Sequence, residues 1–354
     1  MSGEVSYEAA GVSIDAADAV KKRFGGVVSS ESVAHCSPVN RVGAFASLVG
    51  IDLSLWPRPL FVLKSEEPGS KQLLSVEHGK LGWLAHDLIN HLVNDIAVMG
   101  ATPCAVLDTI VCGKLEQETV YELVRAMSEA CLENSCVLVG GETSEQPGVL
   151  PAGRYVLQAS ALGVVDVGGV IDGEAVREGD AIIALASNGL HTNGYSLVRR
   201  LIEERPAILA ETVGGEPFMD ALLKPHTSYY ATVRRLVGRL GPALHGMAHI
   251  TGGGIRDNLA RVIRGGALSA RIDCGALLPP AIFSVVKRYA GIDDNEMLRA
   301  FNCGAGLLAV VDAVVAGLAA KEARACGIDA YSVGSIVGRA SGRSSVEFTG
   351  ALRF

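Results

Sequence analysis

His249-Ile250-Thr251-Gly252-Gly253-Gly254-Ile255-Arg256-Asp257-Asn258-Leu259 is the stretch whose reading decides the fold. A largely apolar run from Ala243 to Ile250 leads into it, and Ile255, Leu259, Val262 and Ile263 follow at helical spacing. The three glycines therefore sit where a strand hands over to a helix. Glycine admits positive φ and keeps Cβ out of the way, while the first N–H groups of a helix have no partner within it. Such a turn suits an anion, a phosphate above all. It reads equally as a tight strand-to-helix connection that binds nothing, and the surrounding chain has to decide.

With 354 residues, 49% of them hydrophobic, the chain is long enough for two domains with sizeable cores. Charged residues make up 19%, the formal net charge is −7 and the pI is near 5.7. That balance offers no basic field to a nucleic-acid backbone or an anionic membrane, so neither is expected as a partner. The eight cysteines include no Cys-x-x-Cys pair and lie mostly in apolar runs, which suits reduced, buried thiols and a cytoplasmic protein. The N-terminal residues have neither a basic start nor an apolar core, and Asp312 breaks the apolar run Gly306 to Ala320, so no targeting or membrane-spanning segment is expected.

From Leu60 onward strands and helices roughly alternate. The pattern predicts a strand over 60–63, a polar loop over 64–71, a helix over 81–99, a strand over 104–111 and a helix over 116–134. A short strand over 137–139, a loop over 140–153 and a long strand over 155–165 complete a first domain, residues 1–168. The glycine-rich crossing Asp166 to Gly173 opens a second, residues 169–354. It runs through a strand at 181–186, helices to about Leu240, the Gly252–Gly254 turn, helices over 281–289 and 295–301, a strand over 306–311, a helix over 313–326 and a last strand pair between Tyr331 and Phe348. The class is α+β or α/β, with a mixed sheet flanked by helices in the second domain.

Chemistry gathers in four places. In the helix 81–99, Asp87, His91 and Asp95 recur every four residues and share one side of an otherwise apolar helix. Carboxylates in apolar surroundings need a partner or a cation, and Mg²⁺ held by carboxylates and nucleotide phosphates is one solution; a solvent-facing stripe is another. Asp95 is the stronger case, because a carboxylate near a helix C-terminus needs compensation. Lys64 to Lys71 leaves a strand with Glu66, Gly69, Ser70 and Lys71, groups that suit a metal nucleotide or a plain charged turn. Gly140 to Gly148 follows a buried strand and carries Gly141, Glu142 and Thr143, while the strand bearing Asp108 ends beside Asp95. Ser187 to Ser196 brackets His191 with Asn188-Gly189 and Asn193-Gly194. Two turns account for that pattern, yet a histidine there also suits phosphate binding or proton transfer.

Taken in order, these segments resemble the phosphoribosylformylglycinamidine cyclo-ligase family, the aminoimidazole ribonucleotide synthetases. The matching pieces are Tyr7 to Asp15, Val93 to Asp95, Gly140 to Thr143 with Glu145 and Pro147-Gly148, Ser187 to Ser196, Leu222 to Pro225, Gly246 to Gly254, Glu296-Met297 and Phe301-Asn302. The resemblance implies two α/β domains, the first pairing its sheet with that of a second subunit in a homodimer. It also implies ATP-dependent closure of formylglycinamidine ribonucleotide, a small-molecule ribonucleotide substrate, to 5-aminoimidazole ribonucleotide in purine synthesis.

On that reading Glu66, Asp87 and Asp95 hold Mg²⁺. The nucleotide lies against Glu66, Gly69, Ser70, Lys71, Asp108, Gly141, Glu142 and Thr143. Lys71, His191, Asn193 and Asp95 serve catalysis, and Gly252, Gly253 and Gly254 cradle the ribose phosphate. The chain departs from the family at several points. Glu66-Glu67-Pro68-Gly69-Ser70-Lys71 stands where Asp-Gly-Val-Gly-Thr-Lys is usual, and Gln146 and Leu150 replace Met and Tyr. His226-Thr227 replaces Thr-Arg, and His91 takes a normally apolar place. The changed loop keeps a non-catalytic, ATP-binding paralogue as the alternative. The absence of an N-terminal cysteine in the glycine region, of a C-terminal cysteine, and the presence of Ser187 to Ser196 set the chain apart from selenophosphate synthetase, the hydrogenase-maturation dehydratase and thiamine-phosphate kinase.

Overall fold

Alternating and continuous apolar runs sort the described residues into two large sheets and two small strand pairs. The computed structural model describes residues 14–28, 31–40, 43–264, 266–339 and 345–354; the matching piece from Tyr7 to Ser13 lies outside them. Two compact units result, one ending at Ile96 but including Ala101–Val167, the other made of Ala97–Gly100 and Gly168–Phe354. Among the described residues no helix is long and apolar enough to cross a membrane.

The first unit contains α1 (Ile14–Phe24), a small hairpin of β1 (Cys36–Pro38) and β2 (Val49–Ile51), β3 (Pro59–Glu66), α2 (Lys71–Glu77), α3 (Leu81–Ala97), β4 (Thr102–Cys112), α4 (Gln117–Glu133), β5 (Val137–Glu145) and β6 (Tyr155–Asp166). Its sheet has the order β3-β6-β4-β5, antiparallel except for the parallel pair β4–β5. The hairpin lays Cys36 against Cys104, Val137, Val139 and Val164, with Trp56 packed beside them. α3 carries Leu84, Leu88, Leu92 and Ile96, all without exposed surface, on its inward side. All eight cysteines are free, and Cys326 alone is not buried.

Three local expectations need correction. β3 does not stop at Leu63: it runs to Glu66, because pairing with β6 through Glu66–Ala159 satisfies backbone groups that a polar loop would leave to water. The residues 140–145, read as loop, are likewise strand. Gly141 to Glu145 pair with Asp108 to Cys112, so ladder hydrogen bonds override a composition poor in strand formers. Lys71, expected at the end of a loop, opens α2.

The second unit has β7 (Ala181–Ala186), α5 (Tyr195–Glu204), a two-residue pair β8 (Thr212–Val213) and β9 (Glu216–Pro217), α6 (Phe218–Leu222), α7 (Tyr230–Leu240), β10 (Leu244–His249) and α8 (Gly254–Ala260). β11 (Leu268–Asp273), α9 (Ala281–Ala290), α10 (Asp294–Ala300), β12 (Ala305–Val311), α11 (Ala316–Arg324), β13 (Ala330–Gly338) and β14 (Val346–Thr349) follow. The mixed sheet runs β10-β12-β7-β13-β11-β14, with only β11–β14 parallel. β12 is buried along its whole length, as an unbroken apolar run demands of a strand covered on both faces. β11 had no sequence expectation. Its alternation is short, and its place is set by pairing with β13 and β14, both distant in sequence.

Candidate active site

In the first unit the polar side of α3 meets the end of β3 and the start of α2. Lys71, in the first turn of α2, is fully buried, and its Nζ lies 2.7 Å from Oδ1 of the equally buried Asp87. Burial holds the Lys71 pKa below the ordinary lysine value although the Asp87 carboxylate pulls the other way. In this structure Lys71 and Asp87 are thus matched to each other below the surface. One turn along, His91 Nε2 is 3.6 Å from Glu66 Oε2. A further turn on, Asp95 Oδ2 lies 2.9 Å from Lys64 Nζ, which also lies 2.9 Å from Glu66 Oε2. Burial opposes the charge on Lys64, but hydrogen bonds to Asp95 and Glu66 prevail and raise its pKa. Lys64 is thus the compensation that Asp95 requires near the end of α3. Sequence reasoning passed over it, although the extension of β3 puts residues 64 and 66 on one face.

Gly141 faces Asp108 across the β4–β5 pair so closely that a Cβ would fall 2.1 Å from Asp108 Oδ1. Desolvation, aided by nearby Glu142 and opposed by a backbone hydrogen bond, pushes the Asp108 pKa up to about 7. Asp108, Gly140, Gly141, Glu142 and Thr143 line a cavity of about 1040 Å³ that Lys21 and Lys22 of α1 also border. Gly69, at φ +61, and Ser70 lead into α2, and neither lines that cavity.

In the second unit four of the segments singled out in the sequence come together. Ser187 Oγ donates to Asn302 Oδ1 at 2.8 Å, Asn302 Nδ2 donates to the Gly189 carbonyl at 2.9 Å, and Asn188 Nδ2 donates to the Pro225 carbonyl at 2.8 Å. Gly194, at φ +80, precedes α5, where a Cβ would strike the Phe301 ring. His191 is buried at φ +62, a conformation that costs a non-glycine residue ~1–3 kcal/mol and persists only when its surroundings hold it. Its ring stacks on His226, centroids 4.0 Å apart, and His226 Nε2 lies 2.8 Å from Nε2 of His249, the last residue of β10. Asn193 Nδ2 lies 3.5 Å from Thr192 Oγ1.

The glycine turn divides in its duties. Gly253 (φ +85) and Gly254 (φ +62) are demanded by the backbone, and a Cβ would meet the Asp257 carboxylate at Gly253 and the Leu298 carbonyl at Gly254. For these two, close packing is reason enough, and the Asp257 carboxylate disfavours an anion beside Gly253. At Gly252 a Cβ would meet only Asn193 Oδ1, at 3.5 Å.

Comparison with known proteins adds to this geometry. The chain matches the AIR synthase related protein N-terminal domain over residues 67–165 and the C-terminal domain over residues 177–347. It belongs to the AIR synthase related family. It is 36% identical over 332 residues to phosphoribosylformylglycinamidine cyclo-ligase of Burkholderia multivorans, covering 94% of this chain and 93% of that relative. Two solved structures share the fold at lower identity. Thiamine-monophosphate kinase from Stenotrophomonas maltophilia has a TM-score of 0.66 at 16% identity, covering 89% of this chain and 92% of that chain. Hydrogenase maturation protein HypE in complex with ATP has a TM-score of 0.62 at 17% identity, covering 86% and 85%. Within this family, then, the altered loop Glu66 to Lys71 keeps a lysine that is built into the core.

Two stability measurements check the first unit. Lys71→Met leaves a buried carboxylate unmatched and is expected to cost ~3–5 kcal/mol in urea unfolding, most of it regained in Lys71→Met/Asp87→Leu, which removes both charges. For Asp108 the raised pKa means that the folded state binds its proton more tightly than the unfolded chain. Stability is therefore fully present below the ordinary carboxylate pKa and is lost as pH rises through about 7. Asp108→Asn should gain on the parent by a few kcal/mol, at most about 4, between pH 4 and pH 8. Parallel stability curves for the two proteins would mean that Asp108 titrates normally.

Proposed function

We propose that this chain is an ATP-dependent cyclo-ligase that closes formylglycinamidine ribonucleotide to 5-aminoimidazole ribonucleotide, a C–N bond-forming step of purine synthesis. The observation that carries the reading is the 36% identity to a phosphoribosylformylglycinamidine cyclo-ligase over 94% of the chain. In the reaction the formyl amide oxygen of the substrate attacks the γ-phosphorus of ATP and ADP leaves. A substrate nitrogen then attacks the activated carbon, the ring closes, and inorganic phosphate departs.

The residues would divide the work as follows. The nucleotide would occupy the cavity bordered by Asp108, Gly141, Glu142 and Thr143, whose size suits it and whose basic rim at Lys21 and Lys22 suits its phosphates. Glu66 and Asp95 would hold Mg²⁺. Both carboxylates already converge on one cationic centre, Lys64 Nζ, and their hard oxygen donors fit that ion. When bound, the ion would offset negative charge on the nucleotide phosphates. His191 and Asn193 would lie at the reacting amide, where an imidazole in a buried, fixed position can accept a proton as the ring closes. The ribose phosphate would approach the Gly252 end of the glycine turn, beside Asn193. Ser70 and Gly69 would serve the nucleotide through the loop that precedes α2.

A homodimer through the first unit completes the reading. On β3, β4 and β6 the side chains of Leu63, Leu107 and Val156 are exposed together with Phe61, an apolar sheet face unusual on a free surface. Leu63→Glu is expected to turn a dimer into a monomer in sedimentation velocity, and an unchanged sedimentation coefficient would remove this face from the interface.

The decisive assay incubates the purified protein with formylglycinamidine ribonucleotide and ATP, with aminoimidazole ribonucleotide and ADP expected in equal amounts. ATP binding without turnover would leave a nucleotide-binding protein. Gly252→Val is expected to raise the KM for the ribonucleotide tenfold or more with the KM for ATP within twofold, because the added side chain blocks ligand approach and little else. Equal changes in both constants would mean that the turn does not bind the ribonucleotide.

A further inference from the structure

The strained backbone of His191 raises the question of what holds its ring. One support is β12. At Gly306 a Cβ would lie 2.7 Å from His191 Cε1 and 1.9 Å from the Tyr229 hydroxyl, so only glycine leaves room there for both rings. Tyr229 is itself fixed, donating to the Ala186 carbonyl at 2.8 Å. The other support is His226, whose ring lies nearly flat on His191 with 24° between planes. His191 Nε2 also comes within 3.3 Å of Thr227 Oγ1, next along the chain from His226.

His226 can serve as a support because it is anchored at both nitrogens. Its Nδ1 lies 3.3 Å from Thr192 Oγ1 and its Nε2 lies 2.8 Å from His249 Nε2. Between two imidazole nitrogens at that distance one hydrogen fits, so one ring donates and the other accepts. The plane of His226 is thereby tied to the end of β10, and β10 pairs with β12 at His249–Leu307, next to Gly306. Two neighbouring strands therefore grip the His191 ring, one through a glycine gap and the other through a histidine. An isolated buried imidazole would be free to turn about its side-chain bonds; a stacked and hydrogen-bonded one is not.

We propose that His226 is a positioning residue for His191: the stacking of its ring on His191 sets the plane in which His191 meets the substrate, and the hydrogen it shares with His249 is a secondary anchor. The inference rests on the assignment of His191 to the reacting amide and deepens it. It gives a purpose to an imidazole at a place where the family resemblance leads one to expect threonine. The proposal concerns geometry: His226 touches no reacting atom, and its removal should reduce turnover more than substrate binding.

Two variants separate the ring from its hydrogen bond. His226→Gln keeps an amide that can reach His249 but has no ring to stack, whereas His226→Phe keeps a ring but loses the nitrogens. Turnover should fall tenfold or more in His226→Gln with the KM for ATP within twofold, and His226→Phe should recover most of the loss. Ring ¹⁵N signals of histidine-labelled protein provide a readout independent of activity. His191 should show one tautomer in the parent protein and averaged shifts in His226→Gln. Turnover within twofold of the parent in His226→Gln, or a fall in turnover with the His191 signals unaltered, would overturn the proposal. So would a His226→Phe variant as slow as His226→Gln. If His191→Ala remains fully active, the assignment of His191 itself falls, and the ¹⁵N spectra still report whether His226 orients that ring.

Discussion

A lysine with no exposed surface imposes the strictest condition on this protein. The charge of Lys71 is offset by Asp87, 2.7 Å away, and that pairing sets the start of α2 against the second turn of α3. Once those helices are set, His91 and Asp95 of α3 follow at one-turn intervals. His91 and Asp95 then meet Glu66 and Lys64, which the extension of β3 carries on a single face. The departures in the loop from Glu66 to Ser70 thus fall between two anchored ends, the ladder of β3 and the buried pair.

The second unit solves a different problem, that of keeping a strained histidine in place. Asn302 ties Ser187 and Gly189 together, Gly194 yields to the Phe301 ring, and Gly306 yields to His191 and Tyr229. These glycines mark places where another group occupies the space of a side chain. The same holds at Gly141, where Asp108 fills that space. At these positions glycine marks a close approach that a side chain would block.

Much of the candidate site was legible as segments. The fourfold spacing of Asp87, His91 and Asp95 gave the shared helix face, whereas the Asn-Gly pairs around His191 form bends on either side of a turn at His191-Thr192. What the spacing could not give was the partner of each group. Asp87 and Asp95 look alike in the sequence, yet one meets a buried lysine from α2 and the other a half-exposed lysine from β3. His226 drew notice only as a departure from the family, because nothing local marks an imidazole that will stack on a residue 35 positions away.

The sequence by itself determined that there are two α+β units, that the glycine turn joins a strand to a helix, and that the chain resembles the cyclo-ligases. Those readings rest on local periodicity and on ordered motifs, which a linear chain displays directly. Only the tertiary structure decided that 140–145 is a strand, that Lys71 is interior, that Gly253 and Gly254 are needed for packing, and that three histidines form one array. Each of these depends on contacts between residues distant in sequence. Ladder pairing, desolvation and the space left for a Cβ are properties of neighbours in space, and spacing along the chain does not carry them.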